Sequence, residues 1–225
     1  MADAQSLSST SAVHGGHGEW FFDELQKMRS EGVLVDVTLC AEGTEIPCHR
    51  LVLATVSDYF RSMFSLGLSE DKKNKIEMGG VSADALQQLV HYAYTSKINI
   101  TSDNVQPLFQ AADMLQFDEV YNKCEKFLQG NVNKETCLGI WMLADRVSCS
   151  DLAETAKSWA LKWFEEVCAT EEFLQLPVDL LKWYISSDEG LLAKNEQRIL
   201  EVVMLWVRHG LKERKEHLKE LLKCI

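Results

Sequence analysis

Proline is scarce in this sequence, with three residues in 225. Hydrophobic residues make up 46% of the chain and charged residues 25%, which are the proportions of an ordinary globular protein. This composition excludes a collagen-like or a disordered chain. The length predicts one large domain or two modest ones.

Positive charge is also in short supply. The chain has 23 Lys and Arg residues against 34 Asp and Glu residues, which gives a formal net charge of −11. An acidic surface repels the phosphate backbone, which supplies most of a protein's affinity for nucleic acid. We therefore expect no nucleic-acid partner.

Long apolar runs are missing. The longest nearly apolar stretch, residues 200–207, contains Glu201 and is far shorter than the ~20 residues that cross a bilayer. Residues 1–18 are rich in Ser, Ala and Gly, lack the apolar core of a signal peptide, and are expected to form a flexible tail. We expect no membrane partner and a cytoplasmic or nuclear location.

The cysteines follow neither a disulfide nor a metal-binding pattern. They are seven in number, and no two are spaced as C-x-x-C. We expect free thiols that are mostly buried as small hydrophobic groups. His14 and His17 have no third or fourth partner nearby, so no metal site is expected. The cysteines are Cys40, Cys48, Cys124, Cys137, Cys149, Cys168 and Cys224.

Motifs that carry enzymatic chemistry are absent from the sequence. It contains no G-x-x-x-x-G-K-[ST] phosphate loop, no G-x-G-x-x-G, no G-x-S-x-G and no H-E-x-x-H. Cys48 and His49 are adjacent, but neighbours in a strand point to opposite faces, which prevents a hydrogen bond between them. We expect no catalytic residue and no cofactor.

Asp36 is the most unusual carboxylate, because it stands between Val35 and Val37 in a predicted strand. An acid in an apolar run needs a partner or becomes neutral. The expected partner is Arg50 or His49. Asp36 and Arg50 are therefore predicted to form a structural charged pair rather than a catalytic one.

The hydrophobic pattern divides the chain into two parts. A short amphipathic helix is predicted from Trp20 to a stop at Gly32, and β-branched runs predict strands at residues 33–40, 44–54 and 75–78. Every later segment has the helical period of 3.6, with a break at residues 130–131. The predicted architecture is an α+β domain, with helices around a small sheet, over residues 19–130. An all-α domain follows over residues 131–225.

Both parts resemble a known family. The first resembles the BTB/POZ domain in D-V-T-L at residues 36–39, in the pair His49-Arg50, in V-L-A at 52–54 and in S-D-Y-F-R-S-M-F at 57–64. The second resembles the BACK domain of Kelch-like proteins in NKETCLGIWMLADRVSCSDL, FLQLPVDLLKWYISSDEG and ILEVVMLWVRHG. In that family a kelch propeller normally follows, but no repeat of about 50 residues is seen here. We therefore expect the BTB–BACK region of a Kelch-like protein.

The resemblance implies a function and its partners. It implies a non-catalytic substrate-recognition adaptor of a cullin-3 RING ubiquitin ligase that binds the cullin-3 N-terminal domain. The substrate would be held by a kelch domain outside this sequence. The family also implies a homodimer, with Trp20, Phe21, Leu25 and Met28 of the first helix in the interface. Packing of these four residues in the core of the same chain is the alternative.

The resemblance also places the cullin-binding residues. Kelch-like adaptors use an apolar-x-Glu motif before the third strand, and here Leu68 and Glu70 are in that position. An exposed Leu supplies apolar area to be buried, and the Glu beside it supplies a directional acceptor. Met63 in the preceding helix and Tyr94 at the end of the next one are further candidates. Each could equally belong to the core.

The helix pair that opens the second domain resembles the cullin-binding extension of these adaptors. Cys149, in the turn between those helices, would be a contact by that analogy, and burial as a small hydrophobic group is the alternative. Trp141, Trp183 and Tyr184 are bulky where relatives more often carry smaller residues. We therefore expect a groove of altered shape.

Two other functions fit parts of the sequence. A BTB transcriptional repressor would use Asp36 and Arg50 in a dimer groove to recruit a corepressor, but such proteins carry C₂H₂ zinc fingers and this chain has none. A thiol-based redox sensor needs an exposed thiolate of low pKa, and Cys48 beside His49 and Arg50 is the candidate. The position of Cys48 in a strand predicts burial, which would raise that pKa.

Overall fold

Residues 16–65, 74–187 and 196–224 are described by the structure, which is a computed structural model. The chain divides into two units. Unit 1 comprises Met1–Asn99 with Met114–Val120, and unit 2 comprises Ile100–Asp113 with Tyr121–Ile225.

Three short strands form the sheet of unit 1 in the order β2-β1-β3. They are β1 (Val37–Ala41), β2 (Thr44–Cys48) and β3 (Lys75–Glu77). β1 pairs antiparallel with β2 and parallel with β3, so Leu39 is opposite Ile46 on one side and Ile76 on the other. All three side chains are buried, and they form an apolar row across the sheet that faces the core.

The hairpin between β1 and β2 turns at Glu42 and Gly43, as the sequence predicted. Both residues have positive φ, 49° and 79°. Two consecutive positive φ values are typical of the tight hairpin turns that match the twist of the strands, and glycine adopts them without steric cost. The turn therefore sets the register that brings Leu39 opposite Ile46.

Helices pack around this sheet. They are α1 (His17–Ser30), α2 (Arg50–Val56), α3 (Asp58–Ser65) and α4 (Ala83–Thr95). α4 is the central one, and seven of its residues are buried. Its N-terminus is capped by Ser82, whose hydroxyl accepts a hydrogen bond from the Ala85 N–H, and its C-terminus ends at Ser96 in the left-handed conformation.

Ser57 separates α2 from α3 and is buried. Its hydroxyl donates to the Leu115 carbonyl at 2.6 Å and accepts from the Phe60 N–H at 3.1 Å. The Phe60 ring in turn lies edge-to-face against Phe117, with the ring centroids 6.3 Å apart. These contacts join residues 114–120 to the helices of unit 1.

The regular elements of unit 2 are all helices within the described residues. Its helices include α5 (Val105–Met114) and α6 (Asp118–Gly130), which also contribute residues to unit 1, followed by α7 (Cys137–Arg146), α8 (Ser150–Lys162), α9 (Phe164–Cys168), α10 (Glu171–Leu174), α11 (Val178–Ser186), α12 (Glu196–His209), α13 (Leu211–Arg214), a 3₁₀ turn (Lys215–His217) and α14 (Leu218–Leu221). Within the described ranges, no helix is both long and apolar enough to cross a membrane.

Two aromatic side chains in the core of unit 2 have polar partners, whereas the buried indole N–H groups of Trp141 and Trp163 have none among the described residues. The Tyr184 hydroxyl donates to the Ala160 carbonyl at 2.7 Å, and the Trp206 indole N–H donates to the Leu176 carbonyl at 2.9 Å. Trp141 is fully buried and lies edge-to-face against Trp183 at 4.9 Å. The bulky residues noted in the sequence thus form one aromatic cluster.

The fold class predicted from the sequence, a small sheet with helices followed by an all-helical part, is confirmed. Two boundaries differ. Residues 50–54, predicted to continue the second strand, form α2 instead, because the carboxylate of Asp36 accepts a hydrogen bond from the Arg50 N–H and so satisfies the first turn of a helix. α1 begins at His17, within the predicted tail, whereas residues 1–15 lie outside the described part.

Candidate protein-interaction surfaces

Helix α1 is amphipathic in sequence but contains no buried residue. Trp20 is 58% exposed and Phe21 is 50% exposed, while Leu25 and Met28 are partly exposed. All four side chains keep a part of their surface open to solvent within a single chain. The predicted interface residues are therefore accessible to another molecule.

Further exposed apolar residues follow α1 in the chain. Leu34 is 75% exposed and Leu51 is 76% exposed, and Val33 is exposed as well. The Val33 carbonyl accepts a hydrogen bond from the His49 ring at 2.9 Å, and His49 comes two residues before Leu51 in the chain. We call Trp20, Phe21, Leu25 and Met28, the exposed and partly exposed apolar residues predicted for the interface, the α1 face.

The α1 face is held by contacts to the rest of unit 1. The Arg29 guanidinium donates from Nε to the Pro47 carbonyl at 2.8 Å and lies 5.0 Å above the centre of the Tyr94 ring. The Val33 N–H donates to the Met28 carbonyl and closes the end of α1. These contacts anchor the C-terminal end of α1 to the rest of unit 1.

Asp36 and Arg50 meet through the backbone. Asp36 Oδ1 accepts from the Arg50 N–H at 2.8 Å, and Arg50 Nε lies 3.4 Å from the Asp36 carbonyl oxygen. Asp36 is exposed and lies just before β1, and the Arg50 guanidinium lies 4.9 Å above the Phe64 ring. The carboxylate thus accepts a hydrogen bond from the first turn of α2. The sequence did not reveal this role, because residues 50–54 were assigned to a strand.

Tyr94, predicted as a cullin contact, is fully buried. Its hydroxyl accepts from the His49 N–H at 2.7 Å and lies 2.8 Å from His49 Nδ1. Because His49 Nε2 faces the Val33 carbonyl, the ring proton belongs on Nε2, and the hydroxyl donates to Nδ1. Burial raises the pKa of Tyr94 to about 12. Tyr94 therefore positions His49 in the core and presents no open surface to a partner.

The remaining predicted cullin contacts are placed differently. Met63 is partly exposed on α3. Cys149 is buried at the start of α8, where its thiol lies 3.5 Å from Glu125 Oε1, and burial raises its pKa. Leu68 and Glu70 lie outside the described residues.

The cysteines are free thiols, and six of the seven are buried. Burial raises the pKa of Cys48 to about 12, so this thiol is protonated at neutral pH. A redox sensor needs the opposite, an exposed thiolate. Within the described residues, no group of His, Cys, Asp and Glu side chains could hold a metal ion.

Unit 2 contains a cleft that the sequence did not reveal. Its volume is about 220 Å³, and it is lined by residues of α5, α6, α7 and α10 and their adjoining turns. Glu172 stands on one wall, where its Oε2 accepts a hydrogen bond from the Gly139 N–H at 3.0 Å. No sequence signal marks the cleft, because its lining residues are far apart in the chain and share no common period. The apolar lining residues are Val105, Phe127, Leu128, Ile140 and Leu143.

Comparison with known families matches both parts of the chain. Residues 25–132 match the BTB/POZ domain, and residues 137–225 match the domain described as BTB And C-terminal Kelch, abbreviated BACK. The chain is therefore a BTB–BACK protein. Its matched relatives are Kelch-like proteins, and the chain corresponds to their BTB–BACK region.

Kelch-like protein 38 of Homo sapiens is 38% identical over 202 residues, which are 90% of this chain and 34% of that protein. Kelch-like protein 3 of Bos taurus is 38% identical over 223 residues, 99% of this chain and 38% of that protein. The chain thus spans about a third of the length of the curated relatives it matches. Among solved structures, the BTB domain of human gigaxonin is similar over 54% of this chain and 99% of that chain, at 26% identity and a TM-score of 0.47.

Proposed function

We propose that the chain is the BTB–BACK part of a substrate-recognition adaptor for a cullin-3 RING ubiquitin ligase. The match to the BTB–BACK region of Kelch-like proteins, a family of such adaptors, carries the proposal. The chain acts without catalysis, by holding the cullin-3 N-terminal domain and a second copy of itself. The substrate is captured by a kelch domain outside this sequence, as implied by the family.

The α1 face supports the dimer. Burial of apolar surface is the dominant favourable contribution to most protein association, and this face exposes two large aromatic rings at adjacent positions. A two-fold axis would bring the same face of a second copy against it, the commonest arrangement of soluble homodimers. Packing of α1 within its own core is the weaker alternative, because no residue of α1 is buried.

The cullin contact is proposed at Leu68 and Glu70, with Met63 beside them in the chain. These residues follow α3 and precede β3, the position that the family gives to its apolar-x-Glu motif. Tyr94 and Cys149 are buried within the single chain, so the proposed contact rests on Leu68, Glu70 and Met63. The BACK domain favours this function over corepressor recruitment, because BTB repressors carry zinc fingers instead.

Calorimetric titration of the chain with the cullin-3 N-terminal domain tests the proposal. Light scattering gives the size of the free chain and of the complex. We expect a dimer that binds one scaffold molecule per chain. A well-folded chain that releases no heat on titration would overturn the adaptor assignment.

Substitution of Glu70 by Lys tests the contact itself. Loss of a desolvated polar contact and the reversal of its charge are expected to weaken binding by ~2–5 kcal/mol. Glu213→Lys is the matched control, because Glu213 is an exposed carboxylate on α13 and gives the same change in net charge. Equal affinities of the two variants would refute the contact.

A further inference from the structure

The cleft of unit 2 is small, open and mostly apolar. Its volume of about 220 Å³ is below the ~300–1,000 Å³ of sites that enclose a drug-sized ligand. A space of this size suits one or two side chains of a partner segment rather than a whole cofactor. Phe127, Ile140 and Leu143 form much of its apolar wall.

Glu172 gives the cleft a directional polar group. This side chain is half-buried, and burial raises its pKa, although the hydrogen bond from Gly139 acts in the opposite direction. That bond uses Oε2, and Oε1 accepts no hydrogen bond from any described residue. The close approach depends on Gly139, since a Cβ there would lie 2.9 Å from Oε1. A half-buried carboxylate with a spare acceptor favours a cationic donor.

The charged residues next to the cleft lining in the chain also favour a cationic partner. Asp103 and Glu171 are exposed and adjoin lining residues in the chain, whereas Lys126 is the one exposed cation in such a position among the described residues. Glu135, which also adjoins a lining residue, lies 3.9 Å from Lys134. The surroundings are therefore acidic on balance, as is the whole chain.

We propose that this cleft binds a short segment of a partner protein in which a large apolar residue stands next to Lys or Arg. The apolar side chain enters between Phe127, Ile140 and Leu143. The cation donates to Oε1 of Glu172. The cleft shares no residue with the α1 face or with Leu68 and Glu70, but Gly139, Ile140 and Leu143 belong to α7, in the helix pair that resembles the cullin-binding extension.

Selection of a displayed random hexapeptide library against the full 225-residue chain tests the proposal. We expect enrichment of peptides with Lys or Arg next to Leu, Ile, Phe or Met. Glu172→Gln should weaken the best selected peptide about tenfold, because a charge-assisted hydrogen bond is lost. Glu166→Gln is the matched control, because Glu166 is exposed on α9 and neither lines the cleft nor adjoins a lining residue, and it should change the affinity less than about twofold.

The Gln side chain can still accept the hydrogen bond from Gly139, so the variant should fold, and thermal unfolding verifies this. A second variant, Gly139→Ala, displaces the carboxylate without removing its charge and should also weaken the peptide. No enrichment, enrichment of acidic or uncharged peptides, or a basic preference that survives Glu172→Gln would each overturn the inference.

Discussion

Helices α1 and α4 are nearly equal in length and pack on each other, yet they are covered very differently. α1 has 14 residues and none is buried, whereas α4 has 13 residues and seven are buried. Both have apolar residues at helical spacing. An apolar period therefore predicts that a face will be covered, but it does not identify what covers it. For α4 the cover is the same chain, and for α1 it is proposed to be a second copy.

The largest effect is expected in α4. Leu89→Ala removes a fully buried side chain and leaves a cavity, which should lower the free energy of unfolding by ~2–5 kcal/mol. Chemical denaturation measures it. Gln87→Ala, on the exposed side of the same helix, should change it by less than ~0.5 kcal/mol. Similar losses in the two variants would show that α4 is not the core helix.

Truncation of an exposed aromatic residue in α1 should weaken the dimer and leave the stability of the monomer almost unchanged. Trp20→Ala is expected to weaken the dimer by ~2 kcal/mol, about 30-fold, as for a central aromatic residue of an interface. Its effect on the unfolding of the monomer should be below ~0.5 kcal/mol. Analytical ultracentrifugation measures the dissociation constant, and Leu205→Ala, an exposed apolar residue of unit 2, is the control. An unchanged dissociation constant in Trp20→Ala would contradict the proposal that a second copy covers α1.

Tyr94→Phe examines the contact between α4 and His49, whose ring also bonds the Val33 carbonyl in the segment after α1. The change leaves the buried His49 N–H and ring nitrogen without their hydroxyl partner, so a loss of ~1–3 kcal/mol in unfolding free energy is expected. Tyr59→Phe serves for comparison, because the Tyr59 hydroxyl makes no hydrogen bond to a described residue. If the two variants were equally stable, the His49–Tyr94 pair would not hold this segment in place.

The smallest effect is expected at Leu34, which has a φ of 58° and is thus in the left-handed region. Leu34→Gly relieves this strain and should stabilise the monomer by about 0.5 kcal/mol relative to Leu34→Ala. Both variants remove the exposed side chain and should weaken the dimer to the same extent. A dimer that Leu34→Ala leaves intact would exclude this residue from the interface.

The sequence predicted most of the fold for physical reasons that are local. The apolar period of α4 and the Glu42-Gly43 turn each depend on residues a few positions apart. The prediction of a strand at residues 50–54 was wrong, because the first turn of α2 depends on Asp36, 14 residues earlier, which accepts a hydrogen bond from the Arg50 N–H. The cleft escaped prediction for the same reason, since Glu172 reaches Gly139 across 33 positions. The roles of Leu68 and Glu70 stay predictions.

The hydrogen bond between Ser57 and Leu115 has a consequence for how the chain is made and how it can be divided. Unit 1 is completed by Met114–Val120, although the preceding residues belong to unit 2. During synthesis unit 1 is therefore complete only after Leu115 and Phe117 have left the ribosome. A fragment ending at Asn99 would lack the acceptor for Ser57 and the ring that packs on Phe60. No single cut separates the two units intact.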